Sequence, residues 1–330
     1  MDDLQSLIPI PNVWDSLARV EERLLEAAAA DDPYLTKIAQ HLLLAGGKRF
    51  RPLLALLAAQ FGDNRDHRPV EAGVSVELIH VGSLYHDDVI DEADLRRGAT
   101  SVNANWSNTV AILAGDFLMA RASEVAATHL SQESVRLLAA TYADLVQGQT
   151  RELQLDFDVD HDVADYEQVI AGKTASLIRT SARLGAIAAE ADDDVVAALS
   201  DWALEVGTVF QIADDALDLV ADEETIGKPA GSDIREGKFT IPVLEALAGP
   251  NGAVVRSLLE GARPYPDQVV RDVIDIVRSG GHVDSSLSRA RRRLDAASRA
   301  LAGVPEGKPK EILEILGAYL LGRVEAAGSG

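Results

Sequence analysis

Apolar residues recur at intervals of three and four along almost the whole chain, as in Leu53-Leu54-x-Leu56-Leu57, Val110-x-Ile112-Leu113 and Val269-Val270-x-x-Val273-Ile274-x-Ile276-Val277. A helix turning about 100° per residue places such positions on one face. Alanine is abundant, strict alternation of β-branched and polar residues is rare, and Asn-Gly or Asp-Gly signals between alternating runs are lacking. The pattern predicts an all-α protein. Glycine, proline and charge interrupt it at 45–47, 62–69, 96–98, 156–165, 227–237 and 249–252. None of these breaks is long enough for a flexible interdomain linker, so a single domain over 1–330, built from ten or more helices, is the simplest organisation.

Composition narrows the chemistry. A length of 330 residues permits two domains or one large helical core. The formal net charge of -22, from 53 acidic and 31 basic residues, would repel nucleic acid. With no cysteine, disulfides, thiolate metal sites and a cysteine nucleophile are excluded, which suits a cytoplasmic protein. The start, Met1-Asp2-Asp3-Leu4, is acidic where a secretory signal is basic, and no apolar run is expected to reach the roughly 18 residues of a membrane span. A soluble chain handling an apolar substrate would need an internal cavity or a membrane surface.

Two aspartate clusters stand out against this background: Asp87-Asp88-x-x-Asp91 and Asp214-Asp215-x-x-Asp218. In each, the first and last carboxylates lie one helical turn apart on the same face, close enough to share a cation. A solvated acidic face is the ordinary meaning of one isolated Asp-x-x-x-Asp. Here the flanking residues are apolar, Ile79, Val81, Leu84, Val89 and Ile90 around the first and Val209, Phe210, Ile212, Leu217 and Leu219 around the second. Burying so many carboxylates without cations is costly, so they are expected to line a metal-filled cavity. Carboxylate oxygens suit magnesium, which completes its shell with water and phosphate oxygens. A diphosphate is the expected ligand.

Basic residues accompany both clusters. Lys48, Arg49 and Arg51 follow the Gly46-Gly47 turn, whose backbone amides could approach an anion. Arg96-Arg97-Gly98 trails the first cluster, while Gly227-Lys228-Pro229 and Gly237-Lys238 trail the second. Taken singly, each is more naturally a surface ion pair; the shared pattern favours ligand binding. His80 lies two turns before Asp87 on nearly the same face, and Lys173-Thr174 sits within the apolar stretch 169–178. A buried lysine needs an anionic partner.

These segments together, Gly46-Gly47-Lys48-Arg49-Phe50-Arg51-Pro52, His86 to Gly98, Phe210 to Asp218, Gly227-Lys228-Pro229 and Asp233 to Lys238, resemble the trans-prenyl diphosphate synthases, or polyprenyl synthetases. The motifs stand in the family's order over roughly residues 40–250. The resemblance implies an α-helical isoprenoid-synthase bundle around a deep central cavity, a homodimer, and about three magnesium ions per active site. It makes Asp87, Asp91 and Asp214 direct ligands, with Asp88, Asp215 and Asp218 as ligands or their supports. It implies that Arg96, Lys173, Lys228 and Lys238 contact an allylic diphosphate, and that Lys48, Arg51, His80 and Arg97 bind isopentenyl diphosphate beside the ring of Phe210. Thr174 and Gln211 resemble positions that present oxygens to a developing carbocation. The released diphosphate, in the family's chemistry, accepts the proton lost at the end.

Product length is the finer expectation. At the family's gate positions, one turn before Asp87, this chain carries the small residues Gly82 and Ser83. Short-chain members resemble this region with a bulky aromatic there, so the likeness is to long-chain polyprenyl synthases, with transient membrane contact for product release. Gly82 also has an ordinary meaning as a helix-packing contact. A shorter-chain synthase making geranylgeranyl or farnesyl diphosphate, a non-catalytic regulatory subunit, and a helical scaffold with acidic faces are the competing readings.

Overall fold

The computed structural model describes residues 2–63, 67–220 and 230–327. Helices dominate, as the periodicity predicts. The one sheet among the described residues is an antiparallel hairpin pairing Leu95 with Thr100 and Arg96 with Ala99. Its turn residues, Arg97 and Gly98, have φ of 55° and 74°. Left-handed conformations at both centres match the twist of a two-residue hairpin, normally signalled by Asn-Gly. An arginine in that role hid the hairpin from the sequence.

The chain divides into two compact units. The first comprises Met1–Tyr142, Leu177–Ser200 and Gly303–Lys310. At its centre lies the first aspartate helix, Arg68–Ile90, packed chiefly on Asn108–His129 and also on Phe50–Ala58 and Pro11–Ala27. Val74, Val76, Leu78, Val81 and Tyr85 are all buried along it. A helix apolar on every side belongs inside a core. Tyr85 turns away from the Asp87 face and donates from its hydroxyl to the Ile38 carbonyl at 2.7 Å.

Some helices of this unit approach at backbone distance. A Cβ placed on Gly185, in Ser176–Ala188, would lie 2.0 Å from the Ala55 carbonyl oxygen. Gly185→Ala is therefore expected to destabilise the protein by about 2 to 3 kcal/mol, because a backbone rather than a flexible side chain must yield. Urea unfolding checks this; a loss under ~0.5 kcal/mol would show that the helices part freely.

The second unit comprises Ala143–Ser176, Asp201–Ala302 and Glu311–Gly330. Its core gathers Trp202, Val206, Val209, Phe239, Val243 and Val273. Ile241–Ala248 packs on Val163–Val169, Gly252–Leu259, Asp267–Ser279 and His282–Ala300. Val163–Val169 begins at a reciprocal capping box between Asp162 and Asp165. The second aspartate helix, Asp193–Val220, is long and apolar enough to cross a bilayer by composition alone, contrary to the expectation from the sequence. Most of its apolar stretch is buried within the protein, where a core helix shows the same composition.

Candidate active site

In the first unit, the Asp91 amide donates to the Asp87 carbonyl at 2.8 Å, so helical geometry persists through the cluster. Asp87 and Asp91 keep access to solvent. Asp88 is fully buried and points inward, where its Oδ1 accepts from Arg96 Nε at 2.7 Å and Nη2 at 2.6 Å. Its Oδ2 has no hydrogen-bond partner. Burial pushes the Asp88 carboxyl upward, and Arg96 pulls it back. The first cluster thus divides its labour: two carboxylates at the accessible face and one that orients an arginine.

The Gly46-Gly47 turn also makes contacts that the sequence does not predict. The Gly46 amide donates to Leu43, while the Gly46 carbonyl accepts from both Arg97 and Arg49. A Cβ on Gly47, whose φ is 150°, would lie 2.9 Å from Arg97 Nη1. The Gly46 carbonyl thus holds two guanidinium groups, and these in turn present charge. Arg49 is buried and chelated by Glu21 at 2.7 and 3.0 Å, with Glu77 at 3.1 Å; Arg97 comes within 3.7 Å of the same Glu77. Arg51 completes the group, and its Nε is buried with no hydrogen-bond partner.

Cations in this group outnumber the buried carboxylate that serves them. Burial lowers the Arg51 pKa to about 10, with Glu77 opposing and Arg97 adding to the fall, so Arg51 remains charged at neutral pH. Burial, then Arg51 and Arg97, hold His80 well below its ordinary value. His80 is therefore a neutral imidazole with one N–H to donate. Lys48 is exposed on the same turn. Crowded cations with an orphaned donor make a site that an anion would relieve.

In the second unit, Asp214 and Asp218 stand one turn apart in an unbroken helix. Asp215 is buried between them, its Oδ1 accepting from Gln211 Nε2 at 2.8 Å and its Oδ2 from the Tyr166 hydroxyl at 2.9 Å. Burial and the nearby Asp233 charge push the Asp215 carboxyl well up. Thr174 Oγ1 donates to Gln211 Oε1 at 2.8 Å, so Thr174, Gln211, Asp215 and Tyr166 form one continuous relay. The Asp218 carboxylate accepts from the Ser232 and Asp233 amides at 3.1 and 3.3 Å, which anchors the segment leading to Lys238.

Lys173 and Thr174 lie in a π-helical turn, Ile170–Ala175, an irregularity that recurs at functional sites. Its backbone touches Gln132–Leu155: a Cβ on Gly148 would sit 2.3 Å from the Lys173 amide nitrogen, and one on Gly172 would sit 2.9 Å from Gly148 Cα. That contact sets Lys173 against Glu152, with which it forms an ion pair. Lys238 is 16% exposed and lies 3.0 Å from Glu236. Phe210 is partly exposed on the second aspartate helix. Lys228 lies outside the described residues.

The donor set fits a hard divalent cation. Among the described residues no three carboxylates or imidazoles converge on one point. Carboxylate pairs with remaining positions filled by phosphate oxygens are magnesium's usual arrangement.

At the proposed gate, a Cβ on Gly82 would meet Met119 Cε at 3.0 Å and the Gly115 carbonyl at 3.1 Å, so this position packs against Asn108–His129. Ser83 is buried, its hydroxyl donating to the His80 carbonyl at 2.9 Å.

Sequence reasoning missed Glu77, Glu152 and Tyr166. Glu77 was detectable in principle, as an acid within the apolar run 74–79 that needs a cation. Glu152 and Tyr166 carried no local signal, because their partners lie 21 and 49 residues away.

A family model described as polyprenyl synthetase matches residues 32–277. The chain is 40% identical to the nonaprenyl diphosphate synthase of Mycobacterium tuberculosis, covering 97% of this chain and 96% of that one. It superposes with a TM-score of 0.89 on the polyprenyl synthase of Caulobacter crescentus complexed with calcium and isoprenyl diphosphate, at 34% identity and 97% coverage of both chains. The geranylgeranyl pyrophosphate synthase of Corynebacterium glutamicum, with the same ligands, gives a TM-score of 0.84 at 39% identity, covering 95% of this chain and 96% of that one.

Proposed function

Because this chain belongs to the polyprenyl synthetase family, we propose that it condenses isopentenyl diphosphate head-to-tail with an allylic diphosphate and extends it into a long all-trans polyprenyl diphosphate. The observation that carries this reading is the crowding of Arg51 and Arg97 around one buried Glu77, with the Arg51 Nε left without a partner. Such a site calls for a phosphate group. The family match draws on residues of both compact units, which supports treating 1–330 as one synthetase domain.

Arg51 and Arg97 clamp the diphosphate of isopentenyl diphosphate, the neutral His80 donates one hydrogen bond, Lys48 adds charge, and Phe210 walls the acceptor. Asp87, Asp91 and Asp214 hold magnesium, read as three ions, which supplies electrostatic stabilisation of the departing diphosphate when bound. Arg96, held by Asp88, and Lys173, held by Glu152, together with Lys228 and Lys238, grip the allylic diphosphate. As its carbon–oxygen bond breaks, a new carbon–carbon bond forms to the isopentenyl double bond, and the released diphosphate takes up the proton whose loss restores an alkene. The fixed Thr174–Gln211 pair offers oxygen lone pairs to the positive charge that develops. Buried walls exclude the water that would quench it.

The nonaprenyl relative and the small residues Gly82 and Ser83 support a long product. Ile112 and Leu113, 43% and 60% exposed on Asn108–His129, support a homodimer, since a lone chain leaves them to water. The lack of cysteine supports a cytoplasmic setting, with membrane contact at product release.

The test is to incubate the purified chain with isopentenyl diphosphate, several allylic starters and magnesium, then size the products. Chains longer than geranylgeranyl are expected; products stopping there would move the enzyme to the shorter class. Turnover only after a related subunit is added would support the regulatory reading. Ser83→Phe is expected to shorten the product, and Gly82→Phe to shorten it while also losing about 1 to 3 kcal/mol through pressure on Met119 and the Gly115 carbonyl. An unchanged product distribution from both variants would remove the tunnel argument.

A further inference from the structure

We propose that Phe157 is a positioning residue for the allylic substrate, holding the Gly237-Lys238 turn so that the Lys238 ammonium stands where the diphosphate meets it. This rests on the reading of Lys238 as a diphosphate contact. Phe157 has a φ of 60°, a left-handed conformation that a bulky side chain adopts only under compulsion from its surroundings. The compulsion is visible. Its amide donates to the Gly237 carbonyl at 2.7 Å. Its ring lies so close to Gly237 that a Cβ there would be 2.5 Å from three ring atoms. Gly237 is itself left-handed, with φ of 80°, at the end of Ser232–Glu236.

The other side of the assembly is equally fixed. The Arg263 guanidinium carbon lies 4.0 Å from the Phe157 ring centroid, a cation–π distance. The Tyr265 ring is 6.0 Å away and is tied by its hydroxyl to the Leu259 carbonyl at 2.6 Å. The neighbouring Lys238 amide donates to Asp233 at 2.8 Å, so the turn carrying the lysine is pinned both by its own backbone and by the ring beside it. Phe157 also follows Gln132–Leu155 by two residues, and that helix carries Glu152, the partner of Lys173. One strained aromatic therefore couples the helix that sets Lys173 to the turn that sets Lys238. A residue serving only to fill space could do so without a left-handed backbone.

The experiment is a double-mutant cycle in the full-length enzyme, with KM measured separately for the allylic diphosphate and for isopentenyl diphosphate at saturating magnesium, and melting temperature followed throughout. Phe157→Ala is expected to raise the allylic KM roughly tenfold or more while moving the isopentenyl KM less than about twofold. Phe157→Tyr should restore it. In a Lys238→Ala background the same change should add less than about twofold, because the lysine it positions is gone. Phe157→Leu, which keeps apolar volume, replaces the alanine variant if that one does not fold, and an intermediate rise in allylic KM is then expected. Equal shifts in both KM values, or the full effect persisting without Lys238, would overturn the positioning role while leaving the reading of Lys238 intact. If Lys238→Ala itself leaves the allylic KM unchanged, that reading fails first and the proposal falls with it.

Discussion

Asp87→Ala is expected to lower kcat by roughly a thousandfold while leaving the fold intact. The carboxylate lies at the accessible face of a helix that is otherwise core, and Asp91, one turn on, shares its side. On the proposed reading, losing it would remove a magnesium ligand where negative charge accumulates on the leaving diphosphate, an interaction stronger in the transition state than in the bound substrate. Removing one of several crowded acids should not lower the melting temperature, since functional sites trade stability for chemistry. Asp214→Ala should behave alike. Asp215→Asn should differ, because its two oxygens already serve Gln211 and Tyr166 and an amide places a donor against one of them. Steady-state kinetics with magnesium titrated, beside thermal melts, separates these cases. An Asp87→Ala enzyme keeping more than about a tenth of its kcat would rule out the ligand role.

The second large effect falls on stability. Arg49→Met is expected to destabilise the protein by about 3 kcal/mol, measured by urea unfolding. Arg49 binds Glu21 and Glu77 together, and Glu77 is almost wholly buried. Without Arg49, Glu77 keeps the more distant Arg97 at 3.7 Å and the nearby charge of Arg51. Burial already pushes the Glu77 carboxyl upward, so the variant favours its neutral form. Combining Arg49→Met with Glu77→Gln should recover a good part of the loss, because an amide is cheaper to bury than an uncompensated charge. A single-variant loss below ~1 kcal/mol would mean that Arg51 and Arg97 suffice.

Glu77 also marks what sequence reading leaves out about the cations assigned to the diphosphate site, namely how they are held. Like charges do not assemble unaided, and the Gly46 carbonyl and Glu77 hold Arg49 and Arg97 together. The glycine pair has the same sequence signature whether its amides or its carbonyls face inward. The Gly46 carbonyl accepts from Arg49 and Arg97, which the sequence does not reveal.

The spacing of apolar residues determined the all-α class, and the four-residue interval within each aspartate cluster determined which carboxylates share a face, because both follow from a helical repeat fixed within one or two turns. Order of motifs along the chain was enough to suggest the family. What each carboxylate does was decided only in three dimensions. Asp88 faces inward to Arg96, Asp215 is consumed by Tyr166 from 49 residues away, and Asp218 caps a distant backbone. Buried charge is governed by the partners that packing brings to it, and these come from other helices whose approach is set by contacts such as Gly148 on Gly172 and Gly185 on Ala55. No local pattern records them.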